Sequence, residues 1–70
     1  MTNTDINDDF IERLTPLSAC GYILRKRGFD LDTLTDADRL AMKDIATRHF
    51  SEGHTIRQSA ELAIATALSL

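Results

Sequence analysis

Thr55-Ile56-Arg57-Gln58-Ser59-Ala60-Glu61-Leu62-Ala63-Ile64-Ala65-Thr66-Ala67-Leu68-Ser69-Leu70 is the stretch that decides the fold of this 70-residue chain. Thr55 is a good helix cap, and Gln58 three residues on completes a capping box. From Ser59 onward, one residue in twelve is charged. The polar arc is narrow, made of Arg57, Gln58 and Glu61. Ile56, Ala60, Leu62, Ala63, Ile64, Ala67, Leu68 and Leu70 fill most of the remainder. A helix that apolar must be buried by its own domain or by another chain. Its small residues admit a close neighbour, so it reads as the central helix of the domain, over about 56–68.

Working backwards, Gly53 stops a third helix over about 36–51, capped by Thr35 with Asp36 and Asp38 in its first turn. Ala41, Met42, Ile45, Ala46, His49 and Phe50 cover one broad arc, and Asp44 pairs with Arg48 on the opposite side. Leu40 lies on that polar side, out of pattern. Asp30 to Leu34 is a connector. Thr15-Pro16 opens a second helix over about 16–27, with threonine as cap and proline at the first helical position. Leu17, Ala19, Cys20, Ile23 and Leu24 form its apolar stripe. Gly28 then supplies a left-handed stop, clasped by Phe29. Asn7 caps a first helix over about 7–14, with Ile6 and Ile11 at the staple positions. Residues 1–6 read as a loose tail, and 7–70 as one domain.

The expected fold is therefore all-α, a small bundle of three to four short helices. The fourth packs on the second and third. The expected core is Phe10, Ile11, Leu14, Ile23, Leu24, Phe29, Met42, Ile45, Phe50, Ile56, Leu62, Ala63 and Ile64. A chain this short buries about 60% of its unfolded surface, and small domains usually need a disulfide, a metal or a second subunit. A disulfide within the chain is excluded, because Cys20 is the sole cysteine. A lone cysteine, an acidic start and no run long enough for a bilayer together predict a cytoplasmic protein.

The net charge of −3 is uneven. Residues 1–38 hold eight acids against four bases, and residues 39–70 three acids against four bases. Such a balance disfavours a general nucleic-acid binder, whose footprint is a basic face. The third and fourth helices, joined by Glu52-Gly53-His54, could still form a helix-turn-helix. Thr55, Arg57, Gln58 and Ser59 would then face base edges, and Lys43 and Arg48 phosphates. The detail fits poorly: His49 stands where the motif wants a small residue, and Ser59 where it wants an apolar one. DNA binding is accordingly possible but not favoured. The acids Asp5, Asp8, Asp9, Glu12, Asp30, Asp32, Asp36 and Asp38 could make a docking face that imitates nucleic-acid phosphates. Several of them, however, occupy first helical turns where capping alone accounts for them.

Nothing in the chain points to an enzyme. Cys20 reads as a small buried hydrophobe beside Ile23 and Leu24, not as a nucleophile. His49 and His54 show no tight ligand spacing, so no metal or cofactor is expected. His49 reads as a core-edge histidine with one hydrogen bond. No small-molecule substrate and no membrane partner are expected either. The surplus apolar surface points to a non-enzymatic protein-interaction module, a small regulator or adaptor that self-associates, most simply as a two-fold dimer. The contact surface expected from sequence is Leu40, Leu68 and Leu70 with a rim of Tyr22, Arg25 and Lys26. The basic cluster Arg25-Lys26-Arg27 also suits a helix C-terminus, where cations are favoured. In size and helix content the layout is similar to small bacterial or phage regulators that bind other proteins. No sequence motif carries that likeness.

Overall fold

A computed structural model describes residues 7–70. The staple residue Ile6 and the tail 1–6 lie outside the described residues. Four helices follow one another as α1 (Asp8–Ile11), α2 (Pro16–Lys26), α3 (Asp36–Ser51) and α4 (Ile56–Leu68), with a 3₁₀ turn at Leu31–Thr33. No strand occurs among the described residues. The all-α bundle expected from the sequence is the fold observed.

The caps explain where each helix begins. Asn7 Oδ1 accepts from the Phe10 N–H at 3.1 Å, and Thr15 Oγ1 from the Ser18 N–H at 3.2 Å. Thr55 and Gln58 exchange both bonds of a capping box, at 3.0 and 3.1 Å. Thr35 and Asp38 do the same for α3, at 3.0 and 3.2 Å. Two glycines explain where helices stop. Gly28 has φ +83° and Gly53 φ +108°, the left-handed region where a side chain is strained. At the first stop the Phe29 N–H bonds Leu24 O at 2.9 Å and the Gly28 N–H bonds Arg25 O at 3.0 Å. At the second the His54 N–H bonds His49 O at 3.2 Å and the Gly53 N–H bonds Phe50 O at 3.1 Å. Both are Schellman closures, which satisfy carbonyls the helix end would leave open.

The first helix is shorter than the expected 7–14. After Ile11 the chain tightens, with Arg13 N–H bonding Phe10 O and Leu14 N–H bonding Ile11 O at 3.0 and 2.9 Å. Pro16 then forces Thr15 into extended backbone, ψ 160°, and closes off further helix.

Helix α4 packs on both α2 and α3, most extensively on α3, and α2 and α3 also pack on each other. Its inner face is Ile56, Ser59, Ala60, Ala63 and Ile64, all buried at three- and four-residue spacing. Ile11, Ala19, Cys20, Ile23, Leu24, Met42 and Ala46 complete the core. Small side chains at Ser59, Ala60 and Ala63 fit the central position expected for this helix.

Three expected core residues are exposed instead: Phe10 at 46%, Phe50 at 47% and Leu62 at 39%. Helical geometry gives the reason. Adjacent residues point about 100° apart, so Ile11 takes the inward position of α1 and leaves Phe10 outside. In α4 the line through Ala60, Ala63 and Ile64 turns Leu62 outward. In α3 the buried line runs through Met42 and Ala46, and Phe50 falls on its flank. Leu14, Phe29 and Ile45 are half-buried against the core, not within it.

Candidate functional site

The first surface is aromatic and cationic. Phe10, displaced from the core, lies against Tyr22 with ring centroids 5.1 Å apart and planes tilted by 56°. Tyr22, Arg25 and Lys26 share one face of α2 through their three- and four-residue spacing, and the Lys26 ammonium lies 5.5 Å from the Tyr22 ring centroid. The Tyr22 hydroxyl accepts from the Asn7 N–H at 3.3 Å, which fixes the ring beside α1. Phe10, Leu14, Ser18, Gly21, Tyr22 and Arg25 line a shallow groove of about 360 Å³. Three residues expected in a contact surface, Tyr22, Arg25 and Lys26, are thus together, joined by Phe10, an expected core residue that is exposed instead.

The other three are not part of that face. Leu40 is 60% exposed on the outer side of α3, next to Arg39 in the chain and one turn from Lys43 and Asp44. Leu68 is half-buried against the core. Leu70 is 64% exposed, beyond the left-handed Ser69, and borders a depression with Leu24, Arg27, Gly28 and Phe29. The outward side of α4 carries Gln58, Leu62, Ala65 and Thr66.

The side chains expected to read DNA are largely engaged within the fold. Thr55 and Gln58 are spent on the capping box. Ser59 is fully buried, its hydroxyl donating to Thr55 O at 2.8 Å, so its assignment to a base edge is corrected: a buried hydroxyl has no access to a groove. Arg57 is held by Asp8 and by Glu61, the latter at 3.1 Å. Lys43 and Arg48 are exposed on α3.

Acidic residues likewise serve the fold. The Glu12 carboxylate accepts from the Ile56 N–H at 2.9 Å and the Arg57 N–H at 3.1 Å, so a residue at the end of α1 caps the start of α4. Asp8 pairs with Arg57, Asp30 Oδ1 accepts from the Asp32 N–H at 3.0 Å, and Asp38 belongs to the α3 capping box. Asp9, Asp32 and Asp36 are exposed, and Asp5 lies outside the described residues. Glu61 bridges Arg27 at 2.5 Å and Arg57 at 3.1 Å. Partial burial raises its carboxyl, but the bonds from Arg27 and Arg57 outweigh that and hold it below the ordinary 4.5. The hydrogen bonds that Arg57 donates, to Asp8 first and Glu61 second, hold its guanidinium above its ordinary value. No sequence spacing announced the long-range Glu12 and Glu61 bridges, which span 44 and 34 residues.

Cys20 is fully buried, with its thiol 3.8 Å from Ala60 O. Burial pushes it up to about 11 against a weaker lowering by the Cys20 backbone N–H, so it is a protonated thiol at neutral pH.

The turn between α3 and α4 gathers His49, Glu52 and His54, whose spacing in the sequence is no familiar ligand motif. His49 and His54 rings meet edge-on, centroids 5.2 Å apart and planes at 77°. Glu52 Oε1 is 3.6 Å from His49 Nδ1. That nitrogen is buried and has no hydrogen-bond partner, contrary to the single bond expected there. Beside it, His54, Arg57, Gln58, Glu61 and Leu62 line an open groove of about 430 Å³. No helix among the described residues is long and apolar enough to cross a membrane. No protein-family model, curated protein or solved structure matches this chain.

Proposed function

We propose that this chain is a non-enzymatic protein-interaction module, a small regulator or adaptor that self-associates through the outward side of α4. One observation carries the reading. With the core closed, the chain from Leu62 to Leu70 contains no charged side chain, while Leu62 and Leu70 remain 39% and 64% exposed. Solvent-facing helix surfaces normally carry charge, and an uncharged apolar one marks a contact surface. A two-fold arrangement lets the same strip serve both copies. Leu68, expected from sequence in this contact, already packs on the core, so Leu62 is the cleaner probe. Leu62→Asp replaces an exposed side chain and keeps the helical circular dichroism, yet turns the dimer into monomer in sedimentation velocity. A Leu62→Asp protein that sediments as the wild-type dimer refutes the role of this strip.

A second reading rests on the Phe10, Tyr22, Arg25 and Lys26 face. Its aromatic centre and cationic rim suit an acidic, apolar segment of a foreign protein, the composition in which aromatic residues and arginine anchor contacts. Loss of partner capture in Phe10→Ala, with dimerisation intact, supports this face as a separate contact.

A further inference from the structure

We propose that the turn joining α3 to α4 binds a divalent transition-metal cation, with zinc the best chemical match, through His49, Glu52 and His54. Each of the three residues offers a nitrogen or carboxylate oxygen, and these atoms all lie within 4.8 Å of one another. The backbone dictates that gathering. In the Schellman closure at Gly53, His49 stands at the third position from the helix end and His54 just past the stop. Those two positions ordinarily carry a hydrophobic contact. The closure at Gly28 obeys the rule with Leu24 and Phe29, whereas here both are imidazoles.

Three further observations point to a cation. The His49 Nδ1 is buried and has no hydrogen-bond partner, a state native proteins rarely leave uncompensated. Glu52 stands beside it with a largely exposed side chain that is free to adjust. The C-terminal end of α3 contributes the negative end of its dipole to the same place. Two imidazoles and a carboxylate form a borderline donor set suited to zinc, cobalt or nickel, unlike the all-oxygen sets of magnesium and calcium. Zinc bonds of about 2.0–2.2 Å place tetrahedral donors roughly 3.4 Å apart. The 3.6 Å between His49 and Glu52 already matches that spacing. Closing the site means drawing donor atoms from at most 4.8 Å apart to roughly 3.4 Å. Water completes the fourth position.

The competing account is an ion pair between protonated His49 and Glu52, with His54 only stacking on its neighbour. Calorimetric titration of the tag-free full chain with zinc chloride separates the two. The expected result is saturable binding of one zinc per chain, with no competition from excess magnesium. His54→Ala and Glu52→Gln, both in the turn, should remain folded by circular dichroism. His54→Ala should weaken zinc by about tenfold or more, and Glu52→Gln by a smaller factor. Zinc should raise the melting temperature of the wild type, and by less at the same concentration that of His54→Ala. No saturable heat overturns the proposal, as does zinc binding that both variants retain in full. A stoichiometry of one zinc per two chains overturns the intramolecular site.

Discussion

At the scale of single residues, burial and pairing decide what each titratable group does. Glu61 joins α2 to α4 by accepting from Arg27 while it also braces Arg57 on its own helix. Its carboxyl lies below the ordinary 4.5 in the folded chain, so its stabilising contribution is complete above that value and is lost as pH falls through the folded-state value. Glu61→Gln should therefore lower stability at neutral pH by about 0.5–1 kcal/mol, a modest figure because the pair is partly solvated. Urea unfolding across a pH series should show the two proteins converging in acid. A difference that persists unchanged at low pH would mean that Glu61 acts by packing alone. Cys20 behaves in the opposite sense, its thiol pushed up to about 11 by burial. Iodoacetamide should alkylate it only as the fold opens, with urea restoring the rate of a free thiol. Fast alkylation of the folded protein would contradict its burial. The apolar spacing in α2 made that burial legible from sequence, whereas the role of Glu61 was not legible. Its partner Arg27 is 34 residues away, and no local spacing encodes such a pair.

At the scale of elements, capping residues and glycines set the boundaries, and they are local signals. Thr15-Pro16, Thr35, Thr55-Gln58, Gly28 and Gly53 each did in the structure what their chemistry prescribes. The start of α4 shows where local reading ends. Besides its own capping box it is closed by Glu12, a residue read from sequence as part of an acidic surface. This bond also explains how a helix of four residues persists, since one turn of helix is unstable in isolation. Ile11 in the core, Glu12 on the α4 N–H groups and Asp8 on Arg57 fasten α1 from three directions. Glu12→Ala should cost about 1 kcal/mol, the value of a lost cap. It should also release α1, seen as faster amide exchange at residues 8–11 than in the rest of the chain. Uniform exchange with unchanged stability would show that the cap is dispensable. Phe10, Phe50 and Leu62 are exposed and not in the expected core for a shared reason. A broad apolar arc is consistent with several rotations of a short helix, and neighbouring helices choose among them.

At the scale of the whole molecule, the chain closes a core with little to spare. Its radius of gyration is 11.3 Å, near the roughly 11 Å of a compact domain of this length. The core relies on small residues along α4, and large apolar side chains at Phe10, Leu40, Phe50, Leu62 and Leu70 remain at the surface. Composition and pattern revealed that α4 was too apolar to stand alone, and its central place followed. Its two faces were not legible, because alanine, serine and threonine carry little directional signal. The candidate contact residues split in the same way. Tyr22, Arg25 and Lys26 come together because they share a helix face, while Leu40, exposed on α3, is not among the residues lining the groove beside them. The sequence pattern argues against a metal at His49 and His54 because their spacing is no familiar ligand motif, whereas the helix stop brings both imidazoles and Glu52 within 4.8 Å of one another. Self-association through α4 is the claim on which the functional reading depends. Its most direct test is the solution molar mass of the wild-type chain by light scattering over a wide dilution range. The account predicts a mass near twice 7.8 kDa that falls toward the monomer only at high dilution. A mass of 7.8 kDa at every concentration would contradict it.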